Sequence, residues 1–142
     1  GLDDLFAAYR RIPTRHQEYM IAAVWDLETC QPIFYEVYGH CFGLVSSVLN
    51  FNRLPHLMCV AAAMLFAAPV DHFFDDYLTM DLAVGRGSAQ ECLDALHNAV
   101  RLQLEPKKRK HSAAVQEELG VACDLRKVAT ERVVLLAPRR RG

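Results

Sequence analysis

Asp75 and Asp76 stand side by side in an otherwise apolar run, PVDHFFDDYLTM, from Pro69 to Met80. Adjacent carboxylates among Phe, Tyr, Leu and Val cost free energy unless something compensates their charge. Two like charges about 4 Å apart repel by about 4 kcal/mol at an effective dielectric near 20. A divalent cation removes that cost. Mg²⁺ is a hard ion that takes one or two carboxylates together with substrate phosphates. The chemistry that fits the pair is in-line phosphoryl transfer, in which one ion activates the attacking oxygen and a second stabilises a leaving pyrophosphate. Such a site needs a further acid from elsewhere in the chain. Asp3 or Asp4, about seventy residues earlier and also at a strand end, is the candidate. The competing interpretation of an Asp-Asp pair in a hairpin is a solvated acidic turn.

The elements that must position these acids can be read from pattern. The start of DLFAAYRRIP has strand character and the stretch ends at Pro13. Tyr19 to Leu27 and Pro32 to Phe42 are rich in β-branched and aromatic residues and read as a hairpin. The long apolar stretch SSVLNFNRLPHLMCVAAAMLFAA reads as a buried helix capped by Ser46 or Ser47 and kinked or interrupted at Pro55. Two short strands flank Asp75 and Asp76, with Phe73, Phe74 and Tyr77 expected to anchor the hairpin. Ser88 and Glu91 form a capping box ahead of a second helix. Cys92, Leu93, Leu96, Ala99 and Val100 fall on its apolar face, and Pro106 stops it. The GRGS turn at Gly85 to Ser88 lacks the Lys-Ser/Thr of a phosphate-binding P-loop and reads as a helix entry. SAAVQEELGVACDL and ERVVLLAP read as further short strands. The order predicts an α+β fold: an antiparallel sheet with helices packed on one face, plus a β-hairpin in the N-terminal half.

Bulk properties bound the answer without choosing it. The 142 residues suffice for one domain with a core, and 52% apolar with 23% charged is an ordinary globular composition. The net charge of −1 is neutral on nucleic acid, but KKRKH (Lys107 to His111) and RRR (Arg139 to Arg141) are local basic clusters. Each reads equally as a solvated patch. The five cysteines form no CxxC pair, and they read as reduced, mostly buried thiols of an intracellular protein, in the cytoplasm or nucleus. The six histidines show no ligand spacing and read as structural. No signal peptide is visible, and the longest apolar run, 14 residues from Leu57 to Val70, is short of a bilayer span, so no membrane partner is expected. No initiator Met is present, which suggests a fragment of a longer protein.

Several stretches, taken together, resemble the palm of reverse transcriptases, those of retrotransposons in particular. Asp4, Ala8, Tyr9 and Pro13 match the first palm motif in register, which selects Asp4 over Asp3. FGLVSSVLNF resembles the second motif through Gly43, Leu44 and Phe51, with Ser47-Val48 where the family often has Ala-Pro. FFDD resembles the aromatic-X-Asp-Asp box, with Phe73 in place of the common Tyr. LEPKK resembles the fourth motif, ending at Lys108, and ELGV resembles the Leu-Gly of the primer-grip hairpin. The matches lie in family order from Asp4 to about Asp124. They imply a partial palm over residues 1–124, with 125–142 as the start of a thumb or a C-terminal extension.

The resemblance implies roles residue by residue. Asp4 and Asp75 bind two Mg²⁺ ions, or Mn²⁺ in their place, helped by the backbone carbonyl of Leu5. Asp76 completes the acidic cluster near the primer end. Tyr9 stacks under the incoming sugar and blocks a ribose 2′-OH. Phe42 and Gly43 line the nucleotide pocket. Lys108 lies near the leaving pyrophosphate and gives it a proton. Leu119 and Gly120 hold the primer backbone. The implied partners are an RNA or DNA template-primer and dNTPs. From the residues alone, Tyr9 reads rather as a core aromatic, Gly43 as a turn residue and Lys108 as a solvated charge.

Two functions compete. One is an RNA-directed DNA polymerase palm performing two-metal nucleotidyl transfer, inactive as an isolated fragment. The other is a non-catalytic retroelement-derived remnant, or a weak nucleic-acid-binding domain. The intact acidic triad favours the first, and the absence of finger motifs before Asp4 favours the second. A template-dependent RNA polymerase shares the palm geometry, but Tyr9 counts against it because such an enzyme must admit the 2′-OH.

Overall fold

The computed structural model describes residues 1–41, 43–118, 120–132 and 134–138. Phe42, Leu119 and the basic tail Arg139 to Arg141, all singled out above, lie outside the described residues.

The fold is α+β with antiparallel sheets, as the element order predicts. Strand β1 (Leu2–Asp4) pairs with β5 (Asp76–Thr79), and β5 pairs with β4 (Val70–Phe73), giving the order β1-β5-β4. A separate hairpin is made by β2 (Ile21–Asp26) and β3 (Gln31–Glu36). Strands β6 (Val115–Glu118), β7 (Val121–Asp124) and β8 (Leu135–Pro138) form a third sheet in that order, so the chain beyond Asp124 continues the sheet begun before it. The helices are α1 (Val45–Phe66), α2 (Ser88–Ala99) and the short α3 (Val128–Glu131). A 3-10 turn, Ala8–Arg11, follows β1.

Strand alternation decides what the β1-β5-β4 sheet presents on each face. Residues directly opposite share a face. Asp3 lies opposite Tyr77, and Val70 opposite Thr79, on the side covered by helices. Leu5, Tyr9, Phe51, Met58, Cys59, Tyr77 and Leu93 form the main core there. Leu2 with Leu78 and Asp4 with Asp76 lie on the other side. Both long helices therefore pack on one face, which frees the opposite face for charge. The β2-β3 hairpin has no such cover: Ile21, Val24, Trp25, Phe34 and Tyr35 are exposed on its two faces.

Several local expectations need correction. Helix α1 runs unbroken through Pro55, although a proline cannot donate to the carbonyl four residues back. Burial of Phe51, Pro55, Met58, Cys59 and Ala62 on one stripe offsets that lost bond. Its N-cap is Leu44, without a side-chain bond, so neither Ser46 nor Ser47 caps it; Ser47 is buried instead. As a whole α1 has 22 residues and a mean hydropathy of 1.2, enough by length and composition to span a bilayer, although the apolar run inside it is shorter. It is the one such helix among the described residues, and a core helix gives the same signal.

The capping box at α2 does not form. Asp81 caps this helix from the preceding loop, accepting the N–H of Gly87 at 2.9 Å, the N–H of Ala89 at 3.1 Å and the hydroxyl of Ser88 at 2.8 Å. A carboxylate there also complements the positive end of the helix. The helix ends at Ala99, well before Pro106, and Ala99 and Val100 are exposed. Its buried face is Ala89, Gln90, Leu93 and His97. All five cysteines are free thiols, but only Cys59 is buried, and burial pushes its thiol up to about 11.

Candidate active site

The site begins with a tight hairpin. Phe73 pairs with Asp76, so Phe74 and Asp75 alone connect β4 to β5. Two-residue connections need positive φ, a place glycine normally takes. Here Phe74 holds φ 53°, which a bulky side chain tolerates only when its surroundings impose it. Tyr77 is fully buried and anchors β5. Phe73 does not share that role: it is 51% exposed and meets the edge of Phe74 at 4.6 Å.

Strand β1 brings the other acid. Asp4 lies directly opposite Asp76. The Leu5 N–H donates to the Asp75 carbonyl at 3.0 Å, tying the end of β1 to the turn. Asp4 and Asp75 share a hollow of about 310 Å³ with Leu5, Arg10, Glu105 and Lys108. The Leu5 carbonyl accepts a 3.4 Å bond from Ala8 and keeps a second lone pair. Burial, then the charges of Asp4 and Asp75, push the Asp76 carboxyl above its ordinary value. Asp76 thus feels the charge of both neighbouring acids.

Lys108 supplies positive charge. Its ammonium donates to Asp4 Oδ2, and that bond together with the Asp4 charge raises the lysine further above its ordinary value. The segment carrying it runs antiparallel to β1: the Glu105 N–H donates to the Asp4 carbonyl at 2.7 Å, and Leu2 and Lys110 exchange two backbone bonds at 2.8 and 2.9 Å. The backbone of the Lys107 to His111 cluster therefore runs along the sheet edge, while Lys107, Lys108, Lys110 and His111 stay exposed to solvent and only Arg109 turns partly inward.

The remaining residues singled out from sequence fall as follows. Tyr9 is buried in the 3-10 turn after β1, its ring 4.5 Å from that of Phe51, and burial followed by the charge of Asp75 raises its hydroxyl. It is a core aromatic, packed with the helices and close enough to Asp75 to feel its charge. Gly43 sits at the entry to α1 with φ 87° and lies outside the lining of the hollow shared by Asp4 and Asp75. Gly120, at φ 79° between β6 and β7, does approach the acids. It lines a second hollow of about 480 Å³ with Asp4, Asp76, Lys108, Lys110 and Glu118.

The donor set fits Mg²⁺ in kind, being hard carboxylate oxygen with a backbone carbonyl beside it. Among the described residues, however, no three His, Cys, Asp or Glu side chains are spaced to hold a metal ion as they stand, and Asp4 Oδ2 is taken by Lys108. Sequence reasoning set Asp3 aside in favour of Asp4 and did not single out Asp94 or Arg109; these three form a second ionic cluster on the helix side of β1. The alternation of KKRK beside an alternating strand is the signal that could have found it. No protein-family model matches the chain, and no curated protein matches it.

Proposed function

We propose that this chain is the palm of an RNA-directed DNA polymerase, a nucleotidyltransferase that adds deoxynucleotides to a primer 3′-OH on an RNA or DNA template. The observation that carries the reading is a convergence. Asp4, Asp75, Asp76 and Lys108 come from three stretches far apart in sequence and meet on the sheet face that the helices leave open. These are the residues to which the motif resemblance assigns the chemistry.

In this reading Asp4 and Asp75, with the Leu5 carbonyl, hold two Mg²⁺ ions, and Mn²⁺ substitutes. Bound there, the ions supply activation of the primer hydroxyl and charge stabilisation of the leaving pyrophosphate. Asp76 adds negative charge beside the primer end. Lys108 exchanges its contact with Asp4 for the pyrophosphate and gives it a proton. Tyr9, backed by Phe51, bounds the sugar site and excludes the 2′-OH. Gly43 and Phe42 border the nucleotide, and Gly120 with Leu119 holds the primer strand. The activity belongs inside the cell, in cytoplasm or nucleus, where Mg²⁺ and dNTPs meet.

A second reading, a folded retroelement-derived domain that does not polymerise, is favoured by one observation: the acids are not spaced as a ligand set as they stand. Titration of Mn²⁺ into the chain, followed by loss of the free-ion electron paramagnetic signal, separates the two. The polymerase reading expects Mn²⁺ uptake that strengthens with a dNTP and is lost in Asp75→Asn. Equal uptake by wild type and Asp75→Asn favours the second reading.

A further inference from the structure

Each acid of the β1 pair has its own cation, one on each side of the sheet. Asp4, itself buried, faces the side away from the helices and meets Lys108. Asp3, 2% exposed, faces the helices and accepts from Arg109 Nε at 2.7 Å. Arg109 also donates from Nη1 to Asp94 of α2 at 2.6 Å. Gln90 of α2 completes the cluster: its amide donates to Asp3 at 2.9 Å and to the Lys110 carbonyl at 3.1 Å, and its own oxygen accepts the Ser112 N–H at 3.2 Å. Consecutive residues 108 and 109 thus point to opposite sides, in step with consecutive residues 4 and 3.

We propose that Arg109 is a positioning residue for Lys108. Its fork joins β1 to α2 through Asp3 and Asp94 and fixes the register of segment 105–110, which carries the Lys108 ammonium to Asp4. A guanidinium suits this role because its planar donors serve two carboxylates at once, which an ammonium on a flexible stem does poorly. The buried Asp3 carboxylate makes the register specific, since a slipped segment leaves that charge without its partner. Lys108 is 63% exposed at its side chain, so packing alone does not fix its position. The importance of Lys108 rests on the polymerase reading; its placement by Arg109 does not.

The test is competitive acetylation of the folded 142-residue chain, read lysine by lysine by mass spectrometry, with amide hydrogen exchange at Tyr77 and Thr79 as the fold control. In the wild type, Lys108 reacts more slowly than its exposed neighbour Lys107, by up to about fivefold, the protection an exposed ion pair supports. Asp94→Asn removes one arm of the fork without stranding a buried charge, and Lys108 then gains part of the difference. Asp3→Asn/Arg109→Met removes the clamp and its buried charge together, and Lys108 then reacts as fast as Lys107 while Tyr77 and Thr79 stay protected. Arg109→Lys restores part of the slowing. A Lys108 that stays slow in the double variant overturns the proposal, because the backbone bonds alone then hold it. So does a Lys108 that speeds up only when Tyr77 and Thr79 lose protection, because Arg109 then merely supports the fold. No metal or nucleotide enters the measurement, so its failure is distinct from failure of the polymerase reading.

Discussion

Asp4 lies directly opposite Asp76, the last residue of β1 against the first of β5, on the sheet face the helices do not cover. Like charges placed opposite each other destabilise a strand pair by roughly 0.2–1 kcal/mol. Retaining them in a small sheet makes sense if the face works on cations.

The Asp76 carboxyl is raised by burial and by its two acidic neighbours. A raised folded value means that its favourable contribution is present below the ordinary value of 3.8 and is lost as pH rises through the folded value. At neutral pH the group therefore costs stability. Asp76→Asn is expected to raise the melting temperature at pH 7, by the equivalent of about 0.5 kcal/mol, with the gain vanishing below the ordinary carboxylate value. Calorimetry of both proteins across that range checks it.

His97 titrates with the opposite sign. It is buried edge-on to Tyr77, ring centroids 5.0 Å apart, and burial lowers it from 6.5 to about 4. The stability it contributes is complete above 6.5 and is lost as pH falls toward about 4. The loss is on the order of 3 kcal/mol. His97→Leu is expected to flatten that acid limb. Unfolding midpoints in urea at pH 7.5 and 4.5 provide the comparison, and an unchanged difference between them counts against the assignment.

Tyr9→Ala is expected to cost about 3 kcal/mol, because the ring is buried against Phe51. Packing and sugar selection are separable at this position. In an extension-competent enzyme carrying this segment, Tyr9→Val is expected to lower the ratio of kcat/KM for deoxy- over ribonucleotides, the quantity that measures discrimination. A constant ratio makes Tyr9 a packing residue alone.

How legible all this is in the sequence depends on the range of the interaction. The acids are legible because motif register and strand alternation agree: Asp4 shares a face with Asp76, while Asp3 turns to the helices. The contact of Lys108 with Asp4 links two stretches that the resemblance singles out. The helix caps are not, because the group that caps α2 is Asp81, held by loop geometry rather than by the Ser-x-x-Glu spacing. The unbroken helix at Pro55 is hidden for a similar reason: burial against a distant sheet outweighs the local rule. The Arg109 clamp depends on segment 105–110 lying along β1, a long-range pairing that residue types alone do not announce.

The 142-residue chain by itself is expected to extend no primer. Phosphoryl transfer relies on positioning and electrostatic stabilisation, and among the described residues the hollow around Asp4 and Asp75 offers only Arg10 and Lys108 as cations for a triphosphate. Nucleic-acid binding is expected to be weak and to vanish with added salt. Extension of a primed homopolymer above that of an Asp75→Asn/Asp76→Asn control contradicts this.

The central claim is that the face shared by Asp4, Asp75 and Asp76 is a divalent-cation site for a nucleotide. Anomalous diffraction from crystals of the chain soaked with Mn²⁺ and a dNTP tests it most directly. The account predicts a manganese peak between the Asp4 and Asp75 carboxylates, with Lys108 turned from Asp4 toward the phosphates. Manganese bound elsewhere, with Lys108 still on Asp4 and this face empty at saturating Mn²⁺ and nucleotide, contradicts it.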